Sequence, residues 1–591
     1  MDAAKARQCC FVDLIGGLVR RGGAPVRGGI REIRLEGLTP AEKKICRLDY
    51  IDAIAGLGAD FSSPEWWANA ASEKNEHTSE HFKNLCLFYL LVKALKAVDD
   101  VIVYVVCNDA VALQLWAWCG RAGIKITGVG KRPFVTGRFD EGVRTFKAVK
   151  AAFGVAIRAV VRKLYLFVVA GAHIRKNLDR TKDYYVIRSW INKDALRQCV
   201  YAKDPYFGRL PETAVERGFN TLIVAGILNN FTETVRGLKR VDALIVPEEY
   251  FLSLSDIVRA LFRLSLRRTR LKRPVMFSGV DVSAIYEAEI EKGYLDASYT
   301  KNILRYFIAA RLACSIRFGL YTQTYENYAW EKMMILGIRK NRPQARILGF
   351  QHAFVSEDSF KYFTGAKERD IAPLPDGIIT MGRATKNILQ SYGNYPAGIL
   401  TEGCALRQEY LAGVKIFNRR RFGRVVVPLT MIAKESALTL DFLCSSGLAS
   451  SGIKVIVRCH PAAPFETFQR LLAEELPDSF VFDSARSVEE ELRQSDMVLY
   501  TWTTVAAEAL RMGLPVIYLD VLSPLRVDPL FECDALKKSV SVPEGLIPAM
   551  DGFYNMTDEA FSAEQAGAQS YLKDYFYPVT PKNLAPFFPG Q

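Results

Sequence analysis

The chain has 591 residues, half of them hydrophobic and 24% charged, and a formal net charge of +14. That length and balance predict two or more globular domains and exclude a disordered or fibrous chain. The excess of Lys and Arg favours an anionic partner: a phosphorylated substrate, an anionic membrane face or a nucleic acid.

The twelve cysteines show no paired Cys-x-x-Cys spacing. They predict reduced thiols in a cytosolic protein, not a disulfide framework or a zinc site. Cys86, Cys107, Cys119 and Cys314 fall in apolar or helical runs and read as buried. The Met1 end lacks the charged-then-apolar order of a secretory signal, and no uncharged apolar run is long enough to span a bilayer.

In chain order, residues 1–60 read as a small α/β opening. The next stretch runs from Trp66-Trp67 through Glu73-Lys74-Asn75-Glu76-His77 into a Leu-rich helix, and Val101 to Val106 is a strand. Residues 142–178 interrupt the rhythm with one or two basic helices. There Lys147, Lys150, Arg158, Arg162, Lys163, Arg175 and Lys176 sit among bulky apolar residues. Two readings are open: a helix lying on an anionic membrane leaflet, or a helical hairpin packed on its own domain. A second basic cluster, Arg263, Arg267, Arg268, Arg270, Lys272 and Arg273, reads as a solvated helix end.

Strands are expected near 184–189, 221–226, 242–247, 274–278, 317–321, 346–350 and 377–381, with helices between them. Asp204-Pro205-Tyr206-Phe207-Gly208 is a turn. Residues 412–423, with Arg419-Arg420-Arg421, read as a linker. Beyond it come strands at 424–428, 455–457, 480–482, 496–500 and 515–519, with a helix from Val505 to Met512 stopped by Gly513. This predicts an α/β chain of two Rossmann-like doubly wound domains facing a cleft. The expected divisions are 1–411 with the basic insertion at about 142–178, the linker, 424–550, and a tail at 551–591 packing back on the first domain.

Ligands of such sheets sit beyond the carboxyl ends of the strands. Arg458, His460 and Pro461 follow one strand of the second domain, and Thr503 and Thr504 follow another, read as an adjacent strand end. A cation, an imidazole and a helix start with hydroxyls suit a phosphate, and Glu508, one turn on, suits ribose hydroxyls. The plainer reading makes either Thr an ordinary N-cap and Glu508 a solvated helix residue. In the first domain, Glu326 follows one strand and Gln351-His352-Ala353 another, and Asp281 follows Phe277-Ser278-Gly279. Asp204, Asp281 and Glu326 are the unranked candidates for base or nucleophile, with His352 beside them. His352 also reads as a satisfied core histidine, and Glu326 as a first-turn carboxylate. Two lobes with a linker describe a GT-B-like glycosyltransferase architecture, donor on the second lobe and acceptor on the first. No run of Asp suggests a metal, and no cofactor beyond the donor substrate is expected.

Several segments resemble the surface-carbohydrate biosynthesis proteins of bacterial lipopolysaccharide and capsule loci. They are Trp66-Trp67 with Lys74-Asn75 and Ser79; Asp204 to Gly208; Tyr325-Glu326-Asn327 with Trp330-Glu331; Gln351-His352; Pro375-Asp376 with Gly382; Gly403 with Leu406-Arg407 and Leu411; Arg458 with His460-Pro461; and Glu508-Ala509-Leu510. More distantly, the His-Pro turn and Glu-Ala-Leu helix are similar to capsule Kdo transferases and CDP-glycerol glycerophosphotransferases. Ala353 stands where the relatives tend to have Gly. The resemblance implies a cytidine-nucleotide donor, such as CMP-Kdo or another CMP-activated ulosonic acid, and a glycan or lipid-linked glycan acceptor at the cytoplasmic face of the inner membrane. Competing expectations are a polyol phosphate transferase and a non-catalytic scaffold of the assembly machinery. Nucleic-acid binding is not expected, since no aromatic-basic platform or recognition helix stands out.

Overall fold

The structure, a computed structural model, describes residues 9–13, 30–32, 37–96, 102–106, 109–124, 126–129, 137–196, 204–267, 269–417, 423–461, 463–483 and 486–590. Cys107, Arg268 and Arg419-Arg420-Arg421 lie outside the described residues.

Strands β1 (Cys9–Asp13), β2 (Ile30–Glu32), β3 (Ile102–Val106) and β4 (Ile126–Val129) form a parallel sheet of their own in the order β2-β1-β3-β4. The first lobe is built on β5 (Asp183–Ile191), β6 (Asn220–Ile227), β7 (Ile245–Pro247), β10 (Arg317–Thr324), β11 (Arg346–Phe350), β12 (Gly377–Thr380) and β13 (Leu400–Glu402). The intervening β8 (Met276–Phe277) and β9 (Val280–Asp281) stand apart as an antiparallel hairpin. The second lobe holds β14 (Arg424–Pro428), β15 (Lys454–Arg458), β16 (Phe480–Phe482), β17 (Met497–Tyr500), β18 (Val516–Leu519) and β19 (Lys537–Val540).

Both large sheets are wholly parallel and wound in the same way. In the first lobe the order is β13-β12-β11-β10-β5-β6-β7, and in the second β16-β15-β14-β17-β18-β19. In each, the chain runs outward from the centre along one side, returns, and runs outward along the other. The reversal falls between β5 and β10, and again between β14 and β17. Helices on both faces bury these strands, so runs such as Val425-Val426-Val427 are apolar throughout and almost fully buried. Right-handed crossovers bring all carboxyl ends of a sheet to one edge and open a crevice at each reversal.

The strand expectations at 184–189, 221–226, 242–247, 317–321, 346–350, 377–381 and 424–519 all fall on strands of these two sheets. The expectation at 274–278 is corrected. Ser278 and Gly279 both have left-handed backbone (φ 48 and φ 77), and Phe277 pairs with Val280 across them. A two-residue turn with both φ positive makes a hairpin, so Asp281 does not stand at the end of a parallel strand. All but the last residue of the stretch 142–178 falls in one 41-residue helix, Gly137–Asn177. Cys314 is exposed, not buried, because it sits near the last turn of helix Ala297–Ser315 on its outer side; Cys86 and Cys119 are buried.

Helix Asp558–Tyr575 packs on both lobes, against helix Val505–Arg511 of the second and helix Arg383–Tyr392 of the first, and the residues after it run along the first. The N–H of Tyr577 donates to the Met381 carbonyl (3.0 Å), and the rings of Phe587 and Phe588 rest on Phe350 and Tyr185.

Candidate functional site

At the reversal of the first sheet, β10 ends at Thr324 and the chain turns through Tyr325-Glu326-Asn327 into helix Ala329–Asn341. Asn327 takes a left-handed conformation (φ 61), which Asn tolerates, and its side-chain amide donates to the Lys361 carbonyl (2.8 Å). The Glu331 carboxylate fixes the turn from inside, accepting the N–H of Glu326 (2.9 Å) and of Tyr328 (3.1 Å).

This turn presents the Glu326 carboxylate to Lys361 Nζ (3.1 Å) and His352 Nε2 (3.4 Å), with 17% of the Glu326 side chain still exposed. Burial alone would raise the Glu326 carboxyl. The Lys361 ammonium and the His352 ring outweigh it and hold the group well below the usual carboxylate range. Burial would likewise discharge Lys361, but Tyr328, Glu326 and Glu76 around it keep it firmly protonated.

Lys361 Nζ lies 3.2 Å from the Tyr328 hydroxyl and 3.8 Å from Glu76. Glu76 Oε1 also lies 3.3 Å from His77 Nε2, and burial pushes the carboxyl up to about 7 despite Lys361. Its neighbour His77, pushed down to about 3 by burial and by Lys361, stacks on Trp502 of the second lobe at 3.8 Å and 17°. Trp502 follows β17 directly, and its indole N–H donates to Glu435 (2.6 Å) at the other side of the second reversal. A continuous set of contacts therefore joins the two crevices: Glu326, Lys361, Glu76, His77, Trp502.

The second-lobe candidates divide. Arg458 and His460 follow β15 while Thr503 and Thr504 follow β17, and β14 lies between them. The expectation of adjacent strand ends is corrected: the first strand of a doubly wound sheet sits at its centre, so the two clusters are two strand spacings apart, roughly 10 Å. Arg458 donates to the carbonyls of Arg486 (2.9 Å) and Asp483 (3.4 Å), beyond β16, and so leans away from β17. His460 is half-buried, which lowers its imidazole, and Pro461 is exposed. Thr503 Oγ1 accepts the Val505 N–H (3.3 Å), whereas the exposed Thr504 caps nothing with its hydroxyl.

Thr504 and Glu508 instead line a cavity of ≈ 150 Å³ between the lobes, opposite Arg407, Gln408 and Tyr410 and beside Phe576. Glu508 accepts the Tyr410 hydroxyl (2.8 Å), and burial raises its carboxyl. The cavity connects back to Glu326. The Arg407 guanidinium lies over the Tyr206 ring (5.3 Å), which meets His352 edge-on (5.0 Å).

Asp204 and Asp281 have other work. Asp204 Oδ1 accepts from Ser189 Oγ (2.7 Å) and from the N–H groups of Tyr206 (2.8 Å) and Phe207 (2.9 Å). It holds the turn that sets Tyr206 against His352. Gly208 closes that turn at φ 52, and a Cβ there would meet the Leu406 carbonyl oxygen at 2.6 Å. Asp281 Oδ1 accepts the Ser283 N–H (3.0 Å) and hydroxyl (2.6 Å) at the start of helix Ser283–Leu295, and its Oδ2 pairs with Arg121 (3.1 Å).

Lys361, Glu76, His77, Trp502 and Arg407 carry no role in the sequence reading. The signal for two of them was there: Glu73-Lys74-Asn75-Glu76-His77 is a polar run inside an apolar stretch. Lys361 lies in the irregular segment 351–376, where no periodicity points to it.

No family model matches the chain, and no curated protein matches it in sequence. Among solved structures it is similar to a glycosyltransferase from Rickettsia africae (11% identity, 67% of this chain and 95% of that one, TM-score 0.38). It is also similar to the UDP-GlcNAc 2-epimerase of Methanocaldococcus jannaschii in complex with UDP-GlcNAc and UDP (10%, 66% and 98%, 0.35). A third is the wall teichoic acid polymerase TagF (11%, 73% and 95%, 0.34). The fold stands on the strand orders given above, and no activity, substrate or residue role is taken from likenesses this slight.

Proposed function

We propose that this protein is a metal-independent glycosyltransferase of bacterial surface polysaccharide assembly, acting on the cytoplasmic side. It moves a sugar, Kdo or another ulosonic acid, from a CMP-activated donor to a glycan acceptor. The observation that carries this reading is Glu326: a carboxylate held ionised at the crevice of one doubly wound sheet, open to solvent, and linked by Lys361, Glu76 and His77 to Trp502 at the crevice of the other.

In this reading the donor lies across the second-lobe crevice, reaching from His460 after β15 to Thr503 and Thr504 after β17, and the acceptor lies on the first lobe. The C–O bond between sugar and CMP breaks, and CMP leaves with the electron pair. Positive charge grows on the anomeric carbon, and a carboxylate that stays ionised throughout suits Glu326 to face or attack it. Such a carboxyl is a poor proton acceptor. His352, whose Nε2 lies 3.4 Å from that carboxylate, is the neighbour placed to take the acceptor hydroxyl proton. Closing the lobes along the His77–Trp502 contact would keep water out.

The test is release of CMP from CMP-Kdo in the presence of glycan acceptor. The wild type is expected to release CMP, and Glu326→Gln to do so at least about 100-fold more slowly with CMP affinity unchanged. Wild-type release of CMP from CDP-glycerol in place of CMP-Kdo would assign the polyol phosphate chemistry. No turnover of either donor would favour a scaffold.

A further inference from the structure

The long helix Gly137–Asn177 carries apolar side chains on two faces. The face it packs on the first lobe buries Ala148, Ala152, Ala156 and Ala170 together with Val155, Leu166 and Ile174. A second set of large apolar residues points outward: Phe146, Phe153, Ile157, Val161, Leu164 and Val168 are between 52% and 80% exposed. Phe153 lies two turns from Phe146 and the rest follow every three or four residues, so they share one face of the helix over about 33 Å. Beside it, helix Leu254–Arg263 leaves Leu254, Val258 and Phe262 exposed at four-residue spacing. Singly exposed apolar residues are ordinary, but a continuous stripe of this length marks a surface that something covers.

The charges say what. From Gly142 to Asn177 there is no Asp or Glu, and Lys147, Lys150, Arg158, Arg175 and Lys176 are exposed on the same helix. A second copy of the helix against this stripe would set like charges against like along its whole length. A nucleic acid would pair with the basic residues and leave the apolar stripe wet. An anionic bilayer satisfies both: acyl chains take the large apolar side chains, and lipid phosphates take the flanking Lys and Arg. No helix among the described residues is long and apolar enough to cross a membrane, so the helix would lie along the surface.

We propose that the outer face of helix Gly137–Asn177 is a docking surface for an anionic lipid bilayer. It stands independently of the reaction assigned above. The test is sedimentation of the full chain with vesicles of phosphatidylcholine, alone or mixed with phosphatidylglycerol. The wild type is expected to bind the mixed vesicles at least about tenfold more tightly than the neutral ones, and to lose part of that binding at high salt. Ile157→Ser/Val161→Ser/Leu164→Ser alters only exposed side chains and is expected to lower binding about tenfold or more with an unchanged melting curve. If that variant fails to fold, Lys147→Glu/Lys150→Glu/Arg158→Glu replaces it, and its preference for anionic vesicles should vanish. Wild-type protein that ignores anionic vesicles, or variants that bind as the wild type does, would overturn the proposal. So would a solution dimer that the serine variant makes monomeric, which would assign the stripe to a second copy.

Discussion

Glu76→Gln probes the pairing of burial and charge from which the site is built. Burial moves the Glu76 carboxyl from 4.5 to about 7, against the pull of Lys361 and of a backbone N–H. A shift of about 2.5 units at ~1.36 kcal/mol each is about 3 kcal/mol. Below its unfolded pKa the group is protonated in both states, and the native site carries no penalty. Between the unfolded and folded pKa the unfolded chain gives up its proton while the native chain keeps it, so stability falls as pH rises. Above about 7 the loss is complete. Gln does not titrate, so the variant is expected to gain about 3 kcal/mol on the wild type between roughly pH 4 and pH 8. The assay is urea unfolding of both proteins side by side across that range. Burial also pushes Asp358 up to about 6, Glu249 to about 7 and Glu331 to about 8, but these titrate in both proteins and cancel in the difference. A flat difference, or a variant that loses stability at high pH, would refute the reasoning, because it would mean that Lys361 keeps Glu76 ionised.

Lys361→Met removes the cation shared by Glu326 and Glu76 and is expected to destabilise the first lobe by about 3–5 kcal/mol at neutral pH, by leaving buried carboxylates unpaired. Thermal unfolding near pH 5 should recover part of the loss as the carboxylates protonate. Asp204→Asn weakens three hydrogen bonds of one turn; about 1–3 kcal/mol is expected, read by urea unfolding, together with a raised KM as Tyr206 loses its place against His352.

The two sheets were legible because their central strands are apolar on both faces. Runs such as Val455-Ile456-Val457 and Ile347-Leu348-Gly349-Phe350 have no other use in a basic, globular chain. One edge of each was not: β13 (Leu-Thr-Glu) and β19 (Lys-Lys-Ser-Val) face solvent on one side and carry no apolar run, whereas the opposite edges, β7 and β16, were read. Strand order was the harder matter. Nothing local says that β14 lies between β15 and β17, so two strand-end clusters were read as neighbours when they are separated. At the site, Glu326 and His352 showed themselves by following strands, whereas Lys361, which sets the charge state of Glu326, comes from an irregular loop. Asp204 and Glu326 look equivalent in sequence, and only their partners distinguish a turn clamp from an accessible carboxylate.

The proposed function rests on the second lobe taking a cytidine monophosphate. Thermal unfolding with CMP, CDP, UDP or GDP, on the wild type and on His460→Ala, tests this most directly. CMP is expected to raise the melting temperature of the wild type more than the other three do, and to lose most of that effect in the His460 variant. Equal stabilisation by all four nucleotides, or none by CMP, would contradict it.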